Sequence, residues 1–288
     1  MKIFSGLFTA LITPFTEEGE IDWDALYRLI ERQIEGGVDG LVIMGTTGES
    51  PTLSEKEHIE VISKAVEKAN GRTTIIAGTG SNCTREAITY SLAAEKAGAD
   101  GLLIVSPYYN KPTQEGLFQH FSAIADATSL PIVLYNIAGR TGVNIETSTI
   151  LRLVEAYPDS IVGVKDASGN LEQVRDVIAR TPDSFCVLSG NDDQNCDIME
   201  MGGDGAVSVL SNVFPEVTGE IIRTKNRRLA ERYASFTKLL FCETNPIPVK
   251  AVLAEMGLCH NVLRLPLTPL SPNNRQKVMD AFFAVQQK

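Results

Sequence analysis

The sequence lacks the residues that a disulfide framework or a zinc site requires. Its five cysteines, at positions 83, 186, 196, 242 and 259, are an odd number without CxxC spacing, and its three histidines are scattered along the chain. This pattern is typical of free thiols in a reducing compartment. We therefore expect a cytoplasmic protein with no metal site.

Long basic runs and long apolar runs are also missing. The formal net charge is -10 and no Lys/Arg run is longer than a pair, which argues against nucleic acid as a partner. No apolar run reaches the roughly 18 residues that a membrane-spanning helix needs. The opening segment MKIFSGLFTALITPF is broken by Thr13 and Pro14 without an export-like cleavage pattern, so it predicts a first strand rather than a signal peptide.

Short apolar segments alternate regularly with amphipathic ones. The apolar segments predict strands at 7–13, 41–44, 73–77, 102–105, 132–135, 160–165, 185–189 and 206–209. Each is followed by a helix or a helix-like segment. An open doubly wound sheet would also alternate, but eight similar strands without a nucleotide-binding fingerprint favour a (β/α)8 barrel.

Three similar segments recur at helix-to-strand joints: GGVDGLVI at 36–43, AGADGLLI at 97–104 and GGDGAVSV at 202–209. Each combines a glycine-rich helix exit, an aspartate and a buried strand, as repeated βα units require. We predict a catalytic barrel over 1–225 and a C-terminal helical subdomain over 226–288. Its three helices, at 228–241, 246–256 and 273–286, are too few to be stable alone and should pack on the barrel or on another subunit.

One predicted strand ends on a lysine. Residues 161–164 (IVGV) form a fully apolar run before Lys165. Alternation places Ile161, Gly163 and Lys165 on one face, so we expect the glycine to leave space beside the amine. Burial there favours the uncharged amine, which can attack a carbonyl and form an imine. The alternative is a strand-end lysine that reaches solvent or pairs with an acidic neighbour.

The other predicted strands end on glycines, hydroxyls and tyrosines. Active sites of such barrels gather at this face. Tyr135 ends the strand before that of Lys165, about 4.8 Å away if the two strands pair, and a phenol there can relay protons. The GTTGE segment at 45–49 offers backbone N–H groups and hydroxyls to a carboxylate, although an ordinary glycine turn has the same signature.

Four motifs resemble one known family. They are GTTGES at 45–50, SPYYNKP at 106–112, YN with RTG over 135–142, and GVKDASG at 163–169. Together they are similar to the pyruvate-dependent class I aldolases, the family that includes dihydrodipicolinate synthase and N-acetylneuraminate lyase, and the similarity extends over nearly the whole chain. The paired threonines and Arg140 resemble the synthases rather than the lyases.

The resemblance implies a mechanism that needs no cofactor. Lys165 would form a Schiff base with pyruvate, and the enamine would attack L-aspartate 4-semialdehyde. The product would be 4-hydroxy-tetrahydrodipicolinate, in the diaminopimelate and lysine pathway. Tyr135, Thr46 and Tyr109 would relay protons, with Tyr109 reaching into a neighbouring subunit's site.

The resemblance also implies the substrate contacts. Thr47 would hold the pyruvate carboxylate, with backbone of Val207 near it. Arg140 would grip the carboxylate of the second substrate, a task that suits its planar fork of donors. Gly190 would line the same pocket.

Assembly and regulation follow from the same resemblance. The family is usually a homotetramer built as a dimer of dimers, and some members are inhibited by lysine at the dimer interface. The residues that match the pattern of that lysine site are Ser50, His58, Asn82, Glu86 and Tyr108. Pro51 and Glu55 depart from the alanine and histidine of one sensitive version, so lysine inhibition is a hypothesis.

Two other functions stay open. A lyase of N-acetylneuraminate or of keto-deoxy sugar acids would need hydroxyl-binding side chains in place of Arg140 and the paired threonines. A silent barrel that binds a keto acid as a sensor or scaffold predicts a broken set of catalytic residues, whereas all of them are present in this sequence.

Overall fold

The computed structural model describes residues 2–286, and eight parallel strands close into a barrel. Each strand pairs with its successor in the chain, and the last pairs with the first. The strands are β1 (Gly6–Ala10), β2 (Gly40–Ile43), β3 (Thr74–Gly78), β4 (Gly101–Val105), β5 (Ile132–Asn136), β6 (Ile161–Asp166), β7 (Cys186–Ser189) and β8 (Gly205–Ser208). The predicted (β/α)8 barrel is therefore confirmed.

Helices cover the outside of the barrel and form the end of the chain. They are α1 (Trp23–Glu35), α2 (Glu55–Ala69), α3 (Thr84–Ala97), α4 (Gln114–Ala125), α5 (Ala138–Thr141), α6 (Thr147–Ala156), α7 (Leu171–Arg180), α8 (Asn195–Glu200), α9 (Pro215–Thr224), α10 (Arg227–Leu239), α11 (Ile247–Glu255) and α12 (Pro272–Gln286). None of those within residues 2–286 is both long and apolar enough to cross a membrane.

The strands are buried on both faces, which explains their continuous apolar runs. One cluster of side chains fills the barrel, and a larger one lies between the strands and the helices. The inner cluster includes Phe8, Val42, Ile76, Leu103, Val133, Tyr135, Leu188 and Val207. Gly40 is needed where the Phe8 ring crosses the neighbouring strand, since a β carbon there would overlap the ring.

The repeated aspartates have one structural role. The carboxylates of Asp39, Asp100 and Asp204 accept hydrogen bonds of 2.7–2.8 Å from the backbone N–H of Leu7, Ile75 and Val187. Each aspartate lies just before one strand and binds the backbone of the previous strand in the chain. It therefore joins two adjacent βα units. These contacts lie at the amino ends of the strands, the face that stabilises such barrels.

The C-terminal helices α10, α11 and α12 lie where the sequence predicts helices. Phe214, at the start of α9, packs edge-on against Tyr233 and Phe236 of α10, with ring centroids 5.2 and 5.7 Å away. Phe282 of α12 lies 5.9 Å from Phe236. This aromatic contact holds the helices against the barrel, and the boundary at residue 225 stays a prediction.

Candidate active site

Lys165 and Tyr135 lie side by side at the carboxyl ends of β6 and β5. The two residues are direct partners in the strand register. Lys165 Nζ lies 3.9 Å from the centre of the Tyr135 ring, and the two residues are only 6% and 5% exposed. Within residues 2–286 the amine forms no ion pair. Lys165 is therefore a buried amine next to a phenol, and not a lysine that reaches bulk water.

The space beside Lys165 comes from a different glycine than predicted. The expectation that Gly163 leaves this space is wrong, because Cys186 Sγ fills the position of its missing side chain. Gly190, after β7, leaves the space instead: a β carbon there would lie 3.1 Å from Lys165 Cε. The resemblance places Gly190 in the pocket of the second substrate, and that role stays a prediction.

The predicted alternation of β6 also fails at its first two residues. Ile161 packs in the outer cluster and Val162 in the inner one. The cause is a shift in the register of β5 and β6 between Ile132 and Val133. Gly163 and Lys165 still face inwards because the shift lies before them.

A hydrogen bond joins the two strands one residue beyond this pair. Asn136, fully buried, donates from Nδ2 to Asp166 Oδ2 at 3.1 Å and accepts at Oδ1 from Ile145 N at 3.0 Å. Asp166 Oδ1 accepts from the backbone of Ser168 at 2.9 Å. The polar side chains that follow Tyr135 and Lys165 thus fix the ends of both strands.

The GTTGE segment forms a tight turn after β2. Thr46–Gly48 is a single 3-10 turn, followed by Glu49 in the left-handed conformation, with φ of 56°. Thr47 is buried, and its Oγ1 accepts a hydrogen bond of 2.9 Å from Asn245 Nδ2. The carbonyl oxygen of Asn245 accepts from Arg140 Nη2 at 3.2 Å. Thr47 and Arg140 are therefore held by the same residue.

A fully buried ion pair supports this turn. Lys250 Nζ of α11 lies 2.5 Å from Glu49 Oε1, and neither side chain is exposed. The same amine donates to the Val262 carbonyl at 2.9 Å, and Glu49 Oε2 accepts from Arg264 N at 3.2 Å. Burial lowers the pKa of Lys250, and the Glu49 carboxylate opposes this shift. The pair ties the C-terminal helices to the GTTGE turn.

A cavity of about 560 Å³ opens beside the turn. Its walls include Thr46, Ser50, His58, Glu86, Tyr108 and Arg140. The proposed second-substrate residue Arg140 thus shares a cavity with four of the five residues that match the lysine site. Asn82 is not in the lining, and its carbonyl accepts from Asn110 Nδ2 at 2.9 Å. Lys165, Tyr135 and Thr47 also lie outside this lining.

His58 is a rigid part of this cavity wall. Its ring stacks on that of Tyr90 with centroids 4.4 Å apart, and Nε2 lies 2.8 Å from the Gly78 carbonyl oxygen. Burial lowers the pKa of His58, with partial opposition from the Gly78 carbonyl and Glu86. A neutral imidazole that donates to this carbonyl satisfies the geometry.

The comparisons with known proteins show the family of the chain. A sequence model described as the Dihydrodipicolinate synthetase family matches residues 3–285. The chain belongs to this family. It is therefore an enzyme of the aldolase type.

Relatives in the family are similar over almost their whole length. The 4-hydroxy-tetrahydrodipicolinate synthase of Endomicrobium trichonymphae is 48% identical over 97% of each chain. The solved structure of the synthase from Methylacidiphilum fumariolicum SolV is 47% identical, with a TM-score of 0.96 over 99% of this chain and 96% of that one. A chloride-inhibited dihydrodipicolinate synthase from Acinetobacter baumannii, solved with pyruvate, is 44% identical, with a TM-score of 0.95 over 98% and 99%.

Two other predicted residues lie in different surroundings. Val207 of β8 is buried in the inner cluster that also contains Tyr135. Tyr109 is 90% exposed, with φ of 71°, and so lies outside the barrel interior that holds Lys165. Its neighbour Tyr108 lines the cavity.

The sequence reasoning missed Asn245 and the Glu49–Lys250 pair. Lys250 carries a usable signal, because it is the one charged residue within the apolar stretch PIPVKAVLA. A lone lysine there predicts a buried partner of opposite charge. Asn245 carries no comparable signal. Across residues 2–286, no group of three His, Cys, Asp or Glu side chains is arranged to hold a metal ion.

Proposed function

We propose that this enzyme is a 4-hydroxy-tetrahydrodipicolinate synthase, which condenses pyruvate with L-aspartate 4-semialdehyde in diaminopimelate and lysine biosynthesis. The observation that carries the proposal is the buried amine of Lys165, 3.9 Å from the Tyr135 ring. The names of the relatives support this activity, and the pyruvate in one solved relative supports the first substrate. The five unpaired cysteines support a cytoplasmic location.

Lys165 is the nucleophile in this proposal. Its uncharged amine attacks the keto carbon of pyruvate, and loss of water from the carbinolamine leaves an imine. Removal of a proton from the methyl group gives an enamine, which forms the new C–C bond with the aldehyde. The amine of the second substrate then displaces Lys165 and closes the ring.

Each of these steps moves protons, and the neighbouring hydroxyls can carry them. Tyr135 lies beside the amine, where its phenol can protonate the leaving hydroxyl of the carbinolamine. Thr46 and Tyr109 extend the relay. Tyr109 serves the site of a partner subunit in this proposal, as a dimer within a homotetramer allows. Its exposure on a single subunit supports this role.

The remaining residues bind and orient the substrates. The Thr47 hydroxyl donates a hydrogen bond to the pyruvate carboxylate, and the backbone of Val207 lies near this carboxylate. Arg140 lines the 560 Å³ cavity with most of its guanidinium free, so it can bind the carboxylate of the second substrate. Gly190 leaves the room that the Lys165 side chain needs.

Lysine inhibition is proposed at the same cavity. Ser50, His58, Glu86 and Tyr108 line it, and Asn82 lies in the loop beside it. The Glu86 carboxylate and the uncharged His58 ring suit an amino acid with two ammonium groups. Titration of lysine into the condensation assay tests this, and no inhibition at millimolar lysine would contradict it.

A direct comparison of substrates tests the activity. We expect turnover with pyruvate and L-aspartate 4-semialdehyde in a coupled assay, and no cleavage of N-acetylneuraminate under the same conditions. Cleavage of N-acetylneuraminate or of a keto-deoxy sugar acid, without condensation, would support the sugar-acid lyase instead. Binding of pyruvate without either reaction would support a keto-acid sensor.

A further inference from the structure

Asn245 contacts both side chains to which the proposed function assigns a substrate carboxylate. Its Nδ2 donates to Thr47 Oγ1 at 2.9 Å, and its carbonyl oxygen accepts from Arg140 Nη2 at 3.2 Å. The residue is 6% exposed and lies between α10 and α11, outside the eight-stranded barrel. A C-terminal residue thus reaches the substrate-binding groups of the barrel.

The hydrogen bond to Thr47 determines what its hydroxyl can do. A hydroxyl has one proton to donate and two lone pairs that accept. Because the amide N–H of Asn245 occupies a lone pair of Thr47 Oγ1, the hydroxyl proton is left for another acceptor. A carboxylate is such an acceptor, and the amide N–H polarises the hydroxyl towards donating.

The other end of the amide argues against a purely structural role. Asn245 Oδ1 is buried and, within the described residues, has no hydrogen-bond partner. A buried acceptor without a partner lowers the stability of the folded state. The Asn245 side chain therefore contributes little to the free energy of unfolding, whereas its N–H has a defined acceptor, Thr47 Oγ1.

We propose that the Asn245 side chain is a positioning residue for pyruvate, acting through the hydroxyl of Thr47. This inference rests on the proposed function, which assigns the pyruvate carboxylate to Thr47. Arg140 is held by the backbone carbonyl of Asn245, which a side-chain substitution leaves in place. The effect of the side chain is therefore confined to pyruvate and spares the second substrate.

The variant Asn245→Ala separates these effects. We expect the KM for pyruvate to rise about 3- to 10-fold, the loss expected for one hydrogen bond between neutral groups. The KM for aspartate semialdehyde and the kcat should change less than about threefold. The lost contact binds pyruvate equally in the ground state and the transition state, so its removal leaves kcat unchanged. The urea midpoint of unfolding should stay the same or rise, since the unpaired Oδ1 is removed.

A matched control lies in the same C-terminal segment. Asn226 caps α10 by accepting at Oδ1 from Leu229 N at 3.0 Å, and it contacts none of the proposed site residues. Asn226→Ala should lower the unfolding midpoint and leave the pyruvate KM unchanged, the opposite of the pattern expected for Asn245→Ala.

A double-mutant cycle tests the route through Thr47. In a Thr47→Val background, Asn245→Ala should raise the pyruvate KM no further, because its target hydroxyl is already absent. An equal rise in both backgrounds, an unchanged pyruvate KM in Asn245→Ala, or a parallel rise in the KM of both substrates would overturn the proposal.

Two further measurements keep the result interpretable. If Asn245→Ala does not fold, Asn245→Asp keeps the shape of the side chain and replaces the N–H donor by an acceptor, so the pyruvate KM should still rise. Failure of both variants to fold would show a structural role and overturn the proposal.

Borohydride trapping of pyruvate on wild-type Lys165 tests the proposed function separately. Without that adduct the proposed function fails, whereas an adduct together with a normal pyruvate KM in the variants overturns only the role of Asn245.

Discussion

Gly190 leaves the volume that the side chain of Lys165 occupies. A β carbon at this position would lie 3.1 Å from Lys165 Cε, 2.7 Å from Ala167 Cβ and 2.9 Å from the carbonyl oxygen of Asp166. The strand-end backbone cannot move aside easily, so the flexible lysine must. The missing side chain thus sets the position of the amine relative to Tyr135.

The variant Gly190→Ala should therefore lose activity while it stays folded. We expect kcat to fall about 100-fold, since a displacement of about 1 Å at a reacting group has an effect of this size. Gly139→Ala is the control, because a β carbon there meets nothing within 4 Å. Steady-state kinetics measure the effect, and a wild-type kcat for Gly190→Ala would contradict the role assigned to this glycine.

His120 makes stability depend on pH. Its ring is buried in α4, with Nδ1 2.9 Å from Thr84 Oγ1, and burial lowers the pKa of His120 from 6.5 to about 4. Between these values the unfolded chain binds a proton that the folded chain does not. The free energy of unfolding should therefore fall as the pH falls from 6.5 to 4.

The variant His120→Gln should flatten this dependence. Urea unfolding across the same pH interval measures the slope. Burial also lowers the pKa of His58, so the variant should keep the part of the slope that His58 contributes. An identical slope in wild type and variant would show that His120 does not titrate in this way.

The element α11 and the GTTGE turn are held together by Glu49 and Lys250. Removal of one partner leaves the other charge buried and unpaired. Lys250→Met should therefore lower the free energy of unfolding by about 3–5 kcal/mol. The double variant Lys250→Met with Glu49→Gln should lose less than the sum of the single variants, because no unpaired charge remains. Denaturant unfolding of all three measures the coupling, and additive losses would contradict it.

Sequence reasoning identifies the strands because their signals are local. The segments that contain Asp39, Asp100 and Asp204 combine a glycine-rich helix exit with an apolar run, and each strand in the structure begins within one or two residues of its prediction. The short helices α5 and α8 lack such a pattern, since their 4 and 6 residues span less than two turns of helix.

The contacts of the candidate site also divide into those that the sequence predicts and those that it does not. Lys165 and Tyr135 lie near the ends of strands that follow each other in the barrel, so their contact follows from the order of the strands. The contacts of Asn245 with Thr47 and of Lys250 with Glu49 join residues 198 and 201 positions apart. No local pattern encodes such a distant contact, and only the packing of the C-terminal helices on the barrel reveals it.

The whole molecule is proposed to work as an assembly in which subunits share sites. If Tyr109 serves a neighbouring subunit, a Lys165→Ala subunit can lend its tyrosine to a Tyr109→Phe subunit. Two inactive variants that are unfolded and refolded together should then regain about one quarter of wild-type activity, because half of the mixed dimers are hybrids with one complete site. Activity that stays at the level of the separate variants would show that Tyr109 acts within its own subunit or not at all.

The chemistry of the whole enzyme depends on one amine that binds a keto acid covalently. Incubation with pyruvate and borohydride, followed by peptide mass mapping, tests this claim most directly. The account predicts a reduced pyruvate adduct on the peptide that contains Lys165, and no adduct in a folded Lys165→Ala variant. An adduct on another lysine, such as the buried Lys250, or no adduct at all would contradict it.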